Sequence, residues 1–193
     1  MILDISQEVF SCRAFPGDPA PRCERLSSME DGAEYNLTVF SMCAHNGTHI
    51  DAPFHFLRDG KPVGALALSV FVGDCYVARH SGGVTAADAE AIIARARALD
   101  AAERILIAGE AVVTADAARV FARAGILLLG NESQTVGPAE APAEVHRILL
   151  GAGTVLLEGI VLSAAEEGRY LLSAAPLNLG SADGAPCRAY LMR

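Results

Sequence analysis

Apolar and polar positions alternate along residues 34–40, where Tyr35, Leu37 and Val39 interleave with Asn36 and Thr38. A period of two in strong β formers predicts a strand that leads into residues 43–56. Unbroken apolar runs at residues 104–108 and 126–130 have the length of buried strands, and residues 154–162 read as a central strand. Residues 70–78 form either one strand broken at Gly73 or two short ones, and residues 2–5 a short edge strand. Elsewhere the period lengthens to that of a helix. After the capping residue Thr85, the apolar Ala89, Ile92, Ile93 and Ala96 recur on one side, with Asp88, Glu90, Arg95 and Arg97 largely elsewhere. A second helix starts at Thr114 and is ended by Gly125, and a short third one covers residues 144–150 and stops at Gly151. Strand, helix, strand across residues 104–130 suggests a right-handed crossover, whose loops beyond strand ends favour ligands. The pattern is that of an α/β protein.

Length and composition narrow this picture. The 193 residues fit one domain, residues 1–193, able to bury about 70 per cent of the surface of the unfolded chain. Lys+Arg 15 against Asp+Glu 23 leaves a net charge of -8, which disfavours nucleic acid and anionic membranes as partners and points to a small molecule. Five cysteines, odd in number and without a Cys-x-x-Cys pair, indicate neither a disulfide framework nor a zinc ribbon, so a reducing cytoplasm is expected. No basic leader with a cleavable apolar core opens the sequence, and no apolar run approaches the roughly 18–20 residues of a membrane span. A hydrophobic content of 52% without tryptophan is more than a monomer needs to bury, and predicts homo-oligomer contacts. Gly-x-Ser-x-Gly, Walker and Gly-x-Gly-x-x-Gly motifs are absent, leaving serine hydrolysis, nucleotide hydrolysis and dinucleotide redox chemistry unsupported.

The candidate chemistry is concentrated in residues 43–56, which hold three of the five histidines and an aspartate as His45-x3-His49-x-Asp51-x3-His55. Asn46-Gly47, the β-branched Thr48 and Ile50, and Pro53 argue against a helix, so a strand or strand-edge loop is expected. In an extended chain His45, His49, Asp51 and His55 would share one face, with Ile50, Phe54 and Phe56 on the other. Two imidazoles and a carboxylate at this pitch suit a catalytic divalent ion, since three protein ligands leave coordination positions open. Asp51 and His55 are separated by roughly 13 Å of fully extended chain, too far for one coordination shell unless Ala52-Pro53 bends the backbone. Cys43 is expected to be a small buried residue and His80 a solvated loop histidine. Glu158 stands out among apolar neighbours, where an unpaired carboxylate would be costly and calls for a metal or a cation.

The stretch resembles the signature His-x-Gly-Thr-His-x-Asp-x-Pro-x-His of the cyclase-like metal-dependent hydrolases, the family of bacterial kynurenine formamidases and isatin hydrolases. The tail, with Pro176-Leu177 and then Asp183-Gly184-Ala185-Pro186-Cys187-Arg188-Ala189, is similar to that family's closing motif, so the resemblance spans nearly the whole chain. It implies a swivelling β/β/α fold with a mixed sheet and flanking helices. It also implies hydrolysis of a small amide, formamide or cyclic amide by metal-activated water. His45, His49 and Asp51 would hold one ion; Asp51, His146 and Glu158 would hold a second, the last two at the family's spacing of twelve residues. Zinc, one or two per chain, is the first expectation, with manganese admitted by the mixed nitrogen and oxygen ligands. His55 would carry the proton to the leaving nitrogen. Phe15, in an aromatic-Pro-Gly-Asp loop, and Ser133 and Gln134, in the polar loop after residue 130, would face the substrate. Three departures stand out: Phe15 replaces the formamidases' tryptophan, Gly137 replaces an aspartate before Pro138, and an aromatic-bearing insertion after residue 108 is missing. They imply that N-formylkynurenine is a poor substrate. The same metal could instead serve a cyclase or dehydratase, or a protein that binds without turnover.

Overall fold

The computed structural model describes residues 1–193. In chain order it has β1 (Ile2–Asp4), β2 (Arg22–Ser27), β3 (Leu37–Ser41), β4 (His49–Asp51), β5 (Val72–Arg79), β6 (Gly82–Val84), α1 (Ala86–Ala98), β7 (Arg104–Ala108) and β8 (Ala111–Val113). There follow α2 (Ala115–Ala124), β9 (Leu128–Asn131), α3 (Ala143–Gly151), β10 (Val155–Glu158), β11 (Gly168–Ser173), β12 (Gly184–Pro186) and β13 (Tyr190–Met192). Nine strands form one mixed sheet in the order β1-β13-β11-β5-β7-β9-β10-β4-β12; its middle, β5-β7-β9-β10, is parallel and its flanks antiparallel.

Each face of this α/β sheet has its own core. On one face Ile105, Ile107, Leu129 and Leu156 meet Ile92, Ile93, Phe121, Val145 and Leu149 of the three helices. On the other, Val77, Leu106, Leu128 and Leu157 meet Phe71, Tyr170 and Leu172. Ile50 of β4 and Leu191 of β13, from opposite flanks of the sheet, enter this same second core, so the sheet is curled around it. Each fully buried leucine or isoleucine here contributes about 1.5–3 kcal/mol of transfer free energy.

The helices start where their capping residues stand. Thr85 Oγ1 accepts from Asp88 N while Asp88 Oδ2 accepts from Thr85 N at 2.9 Å, a reciprocal cap on α1. Thr114 caps α2 and Gly125, at φ 71°, ends it. Gly73 does not break β5; a side chain there would meet the buried Arg104 guanidinium, which ties the segment down through the Val70 and Asp74 carbonyls.

The expected strand through residues 34–40 begins only at Leu37, and it does not continue into the histidine stretch. β3 pairs with β2 in a separate, exposed two-stranded ribbon, residues 42–48 turn, and only His49–Asp51 enter the main sheet. β10 is shorter than the expected 154–162 because Gly159 takes φ 66° directly after Glu158. α3 runs through Gly151 rather than stopping before it.

Candidate metal centre

β4 lies between β10 and β12, with His49 opposite Glu158 and Asp51 opposite Gly184. Cross-strand partners share a face, so His49, Asp51 and Glu158 point to the helix side while Ile50 and Leu157 enter the opposite core. His146 comes down onto them from α3. His45 arrives from the turn before β4, at whose end Gly47 takes φ 63°, and His55 from a 3-10 turn over Pro53–His55. The shared face of an uninterrupted strand is therefore not what unites these residues. Pro53 does bend the chain, and it brings the His55 ring onto His45, centroids 4.0 Å apart and stacked. Phe56, expected on the far face, stands 4.5 Å from the His146 ring and 4.6 Å from that of His55, forming a wall of the centre.

His49, Asp51, His146 and Glu158 are all at most 2% exposed. His49 Nδ1 lies 3.0 Å from the Gly47 carbonyl and His146 Nδ1 2.8 Å from that of Pro142. A carbonyl can only accept, so both rings carry a proton on Nδ1, and a neutral ring then turns the lone pair of Nε2 inwards. Facing those lone pairs are carboxylate oxygens: Asp51 Oδ1 and Glu158 Oε2 at 3.4 and 3.5 Å from His49, Glu158 Oε1 and Asp51 Oδ2 at 3.2 and 3.5 Å from His146. Charge-assisted N–H···O bonds are shorter, about 2.7–2.9 Å. Asp51 Oδ2 is buried and has no hydrogen-bond donor. Val136 N, at 2.8 Å, holds Glu158 Oε1 in place.

Such a group of donors demands positive charge. Burial alone would discharge His49 and His146, but the facing carboxylates of Asp51 and Glu158 favour the charged rings, outweigh it and lift both imidazoles to about 10. Burial would likewise keep Asp51 protonated, yet His146, His45 and His49 hold it well below the usual carboxylate range. With each ring protonated on Nδ1 alone, a divalent cation would meet the same demand, held by the Nε2 lone pairs and the carboxylates, to which Asp51 offers an otherwise orphaned oxygen. The residues present therefore fit a divalent ion. Ligand atoms cluster within 4.8 Å in two groups, His49 with Asp51 and Glu158, and His45 with Asp51 and His55, so Asp51 belongs to both.

The remaining sequence candidates are in different states. Phe15 is half-buried in a turn closed by Asp18 N to Phe15 O, 3.0 Å. Ser133 is exposed, and its carbonyl accepts from Gly159 N at 2.7 Å. The amide of Gln134 is buried without a protein partner for either atom, beside Gly159 and Gly47. Glu132, in the same polar loop, is occupied with backbone, accepting from Gly109 N and Leu162 N, each at 2.7 Å. Gly137 faces Val145 of α3, where an added Cβ would already stand 3.0 Å from the valine Cβ, so the aspartate absent from this position has little room. One residue had no assigned role in the sequence: Asp183, whose Oδ2 lies 2.8 Å from His45 Nε2 and 3.1 Å from His55 Nδ1. Its signal was the Asp-Gly pair, since Gly184 is what allows the tail to close against β4.

An α/β fold with imidazoles and carboxylates gathered around a divalent-ion position defines the class. The chain belongs to the Cyclase family, whose model it matches over residues 3–138. It is similar to a kynurenine formamidase of Erythrobacter litoralis, with 30% identity over 98% of this chain and 93% of that one. Among solved structures it is similar to a potential metal-dependent hydrolase with cyclase activity, at TM-score 0.81 and 27% identity over 99% of this chain and 96% of the other. Isatin hydrolase A from Labrenzia aggregata has the same fold, at TM-score 0.82 and 21% identity, covering 99% of this chain and 93% of that one.

Proposed function

We propose that this protein is a metal-dependent hydrolase of a small amide, formamide or cyclic amide. The observation that carries the reading is Asp51, a fully buried carboxylate faced by three imidazoles, whose Oδ2 has His146 Nε2 at 3.5 Å but no hydrogen-bond donor. Likeness to a kynurenine formamidase supports the amide class. His45, His49 and Asp51 would hold one ion and Asp51, His146 and Glu158 a second, zinc first and manganese next by donor type. Such an ion, when bound, acidifies water and polarises a carbonyl.

The chain's own residues do the rest. Gly47 and Pro142 carbonyls fix the ring orientation of His49 and His146, and Val136 N–H fixes Glu158. Phe56 shields the His146 side of the centre from water. His55 is 28% exposed, so its ring can meet a substrate, and it passes the proton that the leaving nitrogen needs. Phe15, Ser133 and Gln134 line the substrate side, the buried Gln134 amide being suited to a polar substrate group. With a phenylalanine at position 15, N-formylkynurenine is a poor substrate relative to a smaller amide or lactam. A cytoplasmic homo-oligomer is the state we propose: five free cysteines suit a reducing compartment, and the exposed apolar side chains of the β2–β3 ribbon suit contacts between copies.

Elemental analysis of protein prepared without chelator and supplemented with zinc or manganese should find one or two ions per chain. That preparation should hydrolyse some members of a panel of N-formyl aromatic amines and lactams, and lose the activity on chelation. Metal stoichiometry near zero overturns the proposal.

A further inference from the structure

Asp183 sits at the junction of the two groups that a hydrolase of this kind must keep in register. Its backbone is fixed first: Asp183 O accepts from Ala52 N at 2.9 Å, and the next residue, Gly184, pairs with Asp51 across β12 and β4. Gly184 permits this closeness, since a Cβ there would stand 2.6 Å from Ile50 O and 2.7 Å from His45 Cε1. The carboxylate that follows from this placement uses one oxygen, Oδ2, for two rings. A carboxylate oxygen has lone pairs for two N–H donors.

We infer that Asp183 is a positioning residue that holds His45 and His55 in complementary tautomers from a single oxygen. His45 lies between two carboxylates, its Nδ1 2.8 Å from Asp51 Oδ1 and its Nε2 2.8 Å from Asp183 Oδ2; were an ion to take the place of the proton on the Asp51 side, Asp183 would keep Nε2–H and leave the Nδ1 lone pair to that ion. The order carboxylate, imidazole, ion is the outer-shell arrangement that orients a histidine ligand. By taking Nδ1–H of His55, Asp183 leaves Nε2 of that ring free to accept a proton. The stacking of the two rings keeps ion side and proton side together. In this role Asp183 acts through the two histidines. The inference deepens the hydrolase reading and, for its metal and rate consequences, rests on it.

Asp183→Ala removes the shared acceptor, and Asp183→Asn keeps one acceptor oxygen. The side chain is 42% exposed, so both variants should fold, which cooperative melts of the metal-free proteins check. In chelator competition, Asp183→Ala should bind zinc about ten- to a hundred-fold more weakly, with Asp183→Asn between it and wild type. At saturating zinc, where the weaker binding is offset, the loss of rate in Asp183→Ala should shrink in a His55→Ala background, because the carboxylate then has no proton carrier to hold. Long-range proton–nitrogen spectra of metal-free protein, taken above the ordinary histidine titration range, give a readout free of metal and turnover. The His55 ring should be the Nδ1–H tautomer in wild type and revert to Nε2–H in Asp183→Ala. A wild-type Nε2–H tautomer, or zinc affinity unchanged in Asp183→Ala, overturns the inference. A wild type that binds no zinc at all overturns the hydrolase reading instead, and the tautomer measurement still decides the role of Asp183.

Discussion

His55 reaches the centre through one turn of 3-10 helix, and its contacts are a stacked ring and one carboxylate oxygen rather than the buried set around Asp51. It should therefore be separable from metal retention. His55→Ala is expected to keep its ion and its melting temperature while losing roughly a hundred- to ten-thousand-fold in rate, the usual contribution of a general acid or base. Loss of metal in step with activity would make His55 a ligand. Asp51 is the opposite case: three imidazoles converge on it, so Asp51→Asn should lose more metal by elemental analysis than His146→Ala does. At this scale the spacing of histidines and aspartate was legible, and so was Glu158, because a carboxylate in an apolar run asks for a counter-charge. The parity argument that placed His45 and His55 on one strand face failed, since a turn and a 3-10 turn flank a strand of only three residues. Asp183 could not be found by chemistry alone, since only the tail's return to β4 brings it to the rings.

α1 has a complete reciprocal cap and α3 has none, its N-cap position being Pro142. Thr85→Ala should therefore cost about 1 kcal/mol and lower the melting temperature by roughly 2–4 °C, without changing the metal content. A thermal melt of apo protein measures it, and an unchanged melt would show that the cap is not limiting. Helices and the buried parallel strands were legible because their signals are local: a capping residue, a glycine stop, an unbroken apolar run. β2 and β11 carried no such signal. In β11 Tyr170 and Leu172 are buried, but the exposed Leu171 between them erases the alternation. β2, Arg22–Ser27, is polar because it stands in the ribbon, outside the sheet.

That ribbon is where the molecule as a whole is unfinished. Leu26, Met29, Tyr35, Leu37, Val39 and Phe40 are all more than 40% exposed, and Phe10, in edge contact with Phe40 at 6.2 Å, continues the patch into a groove of about 900 Å³ that Leu177 also lines. Exposed apolar side chains on both faces of the ribbon suit an interaction site, and they are the local form of the excess hydrophobicity seen in the composition. For the proposed homo-oligomer the expectation is concrete. Wild type should sediment as more than one chain, and Val39→Glu with Phe40→Glu should sediment as a monomer that still binds metal. A wild-type monomer at micromolar concentration would refute it.

The neighbours of β4 also have a consequence in time. A ribosome delivers residues 45–55 first, yet β10 follows about a hundred residues later and β12 later still. Until both have emerged, His49 and Asp51 lie in a segment with no sheet to hold it, and Glu158, His146 and Asp183 do not yet exist. Of the two proposed ions, the one shared by Asp51, His146 and Glu158 would thus have its full ligand set only once residue 158 has emerged and β10 has paired with β4.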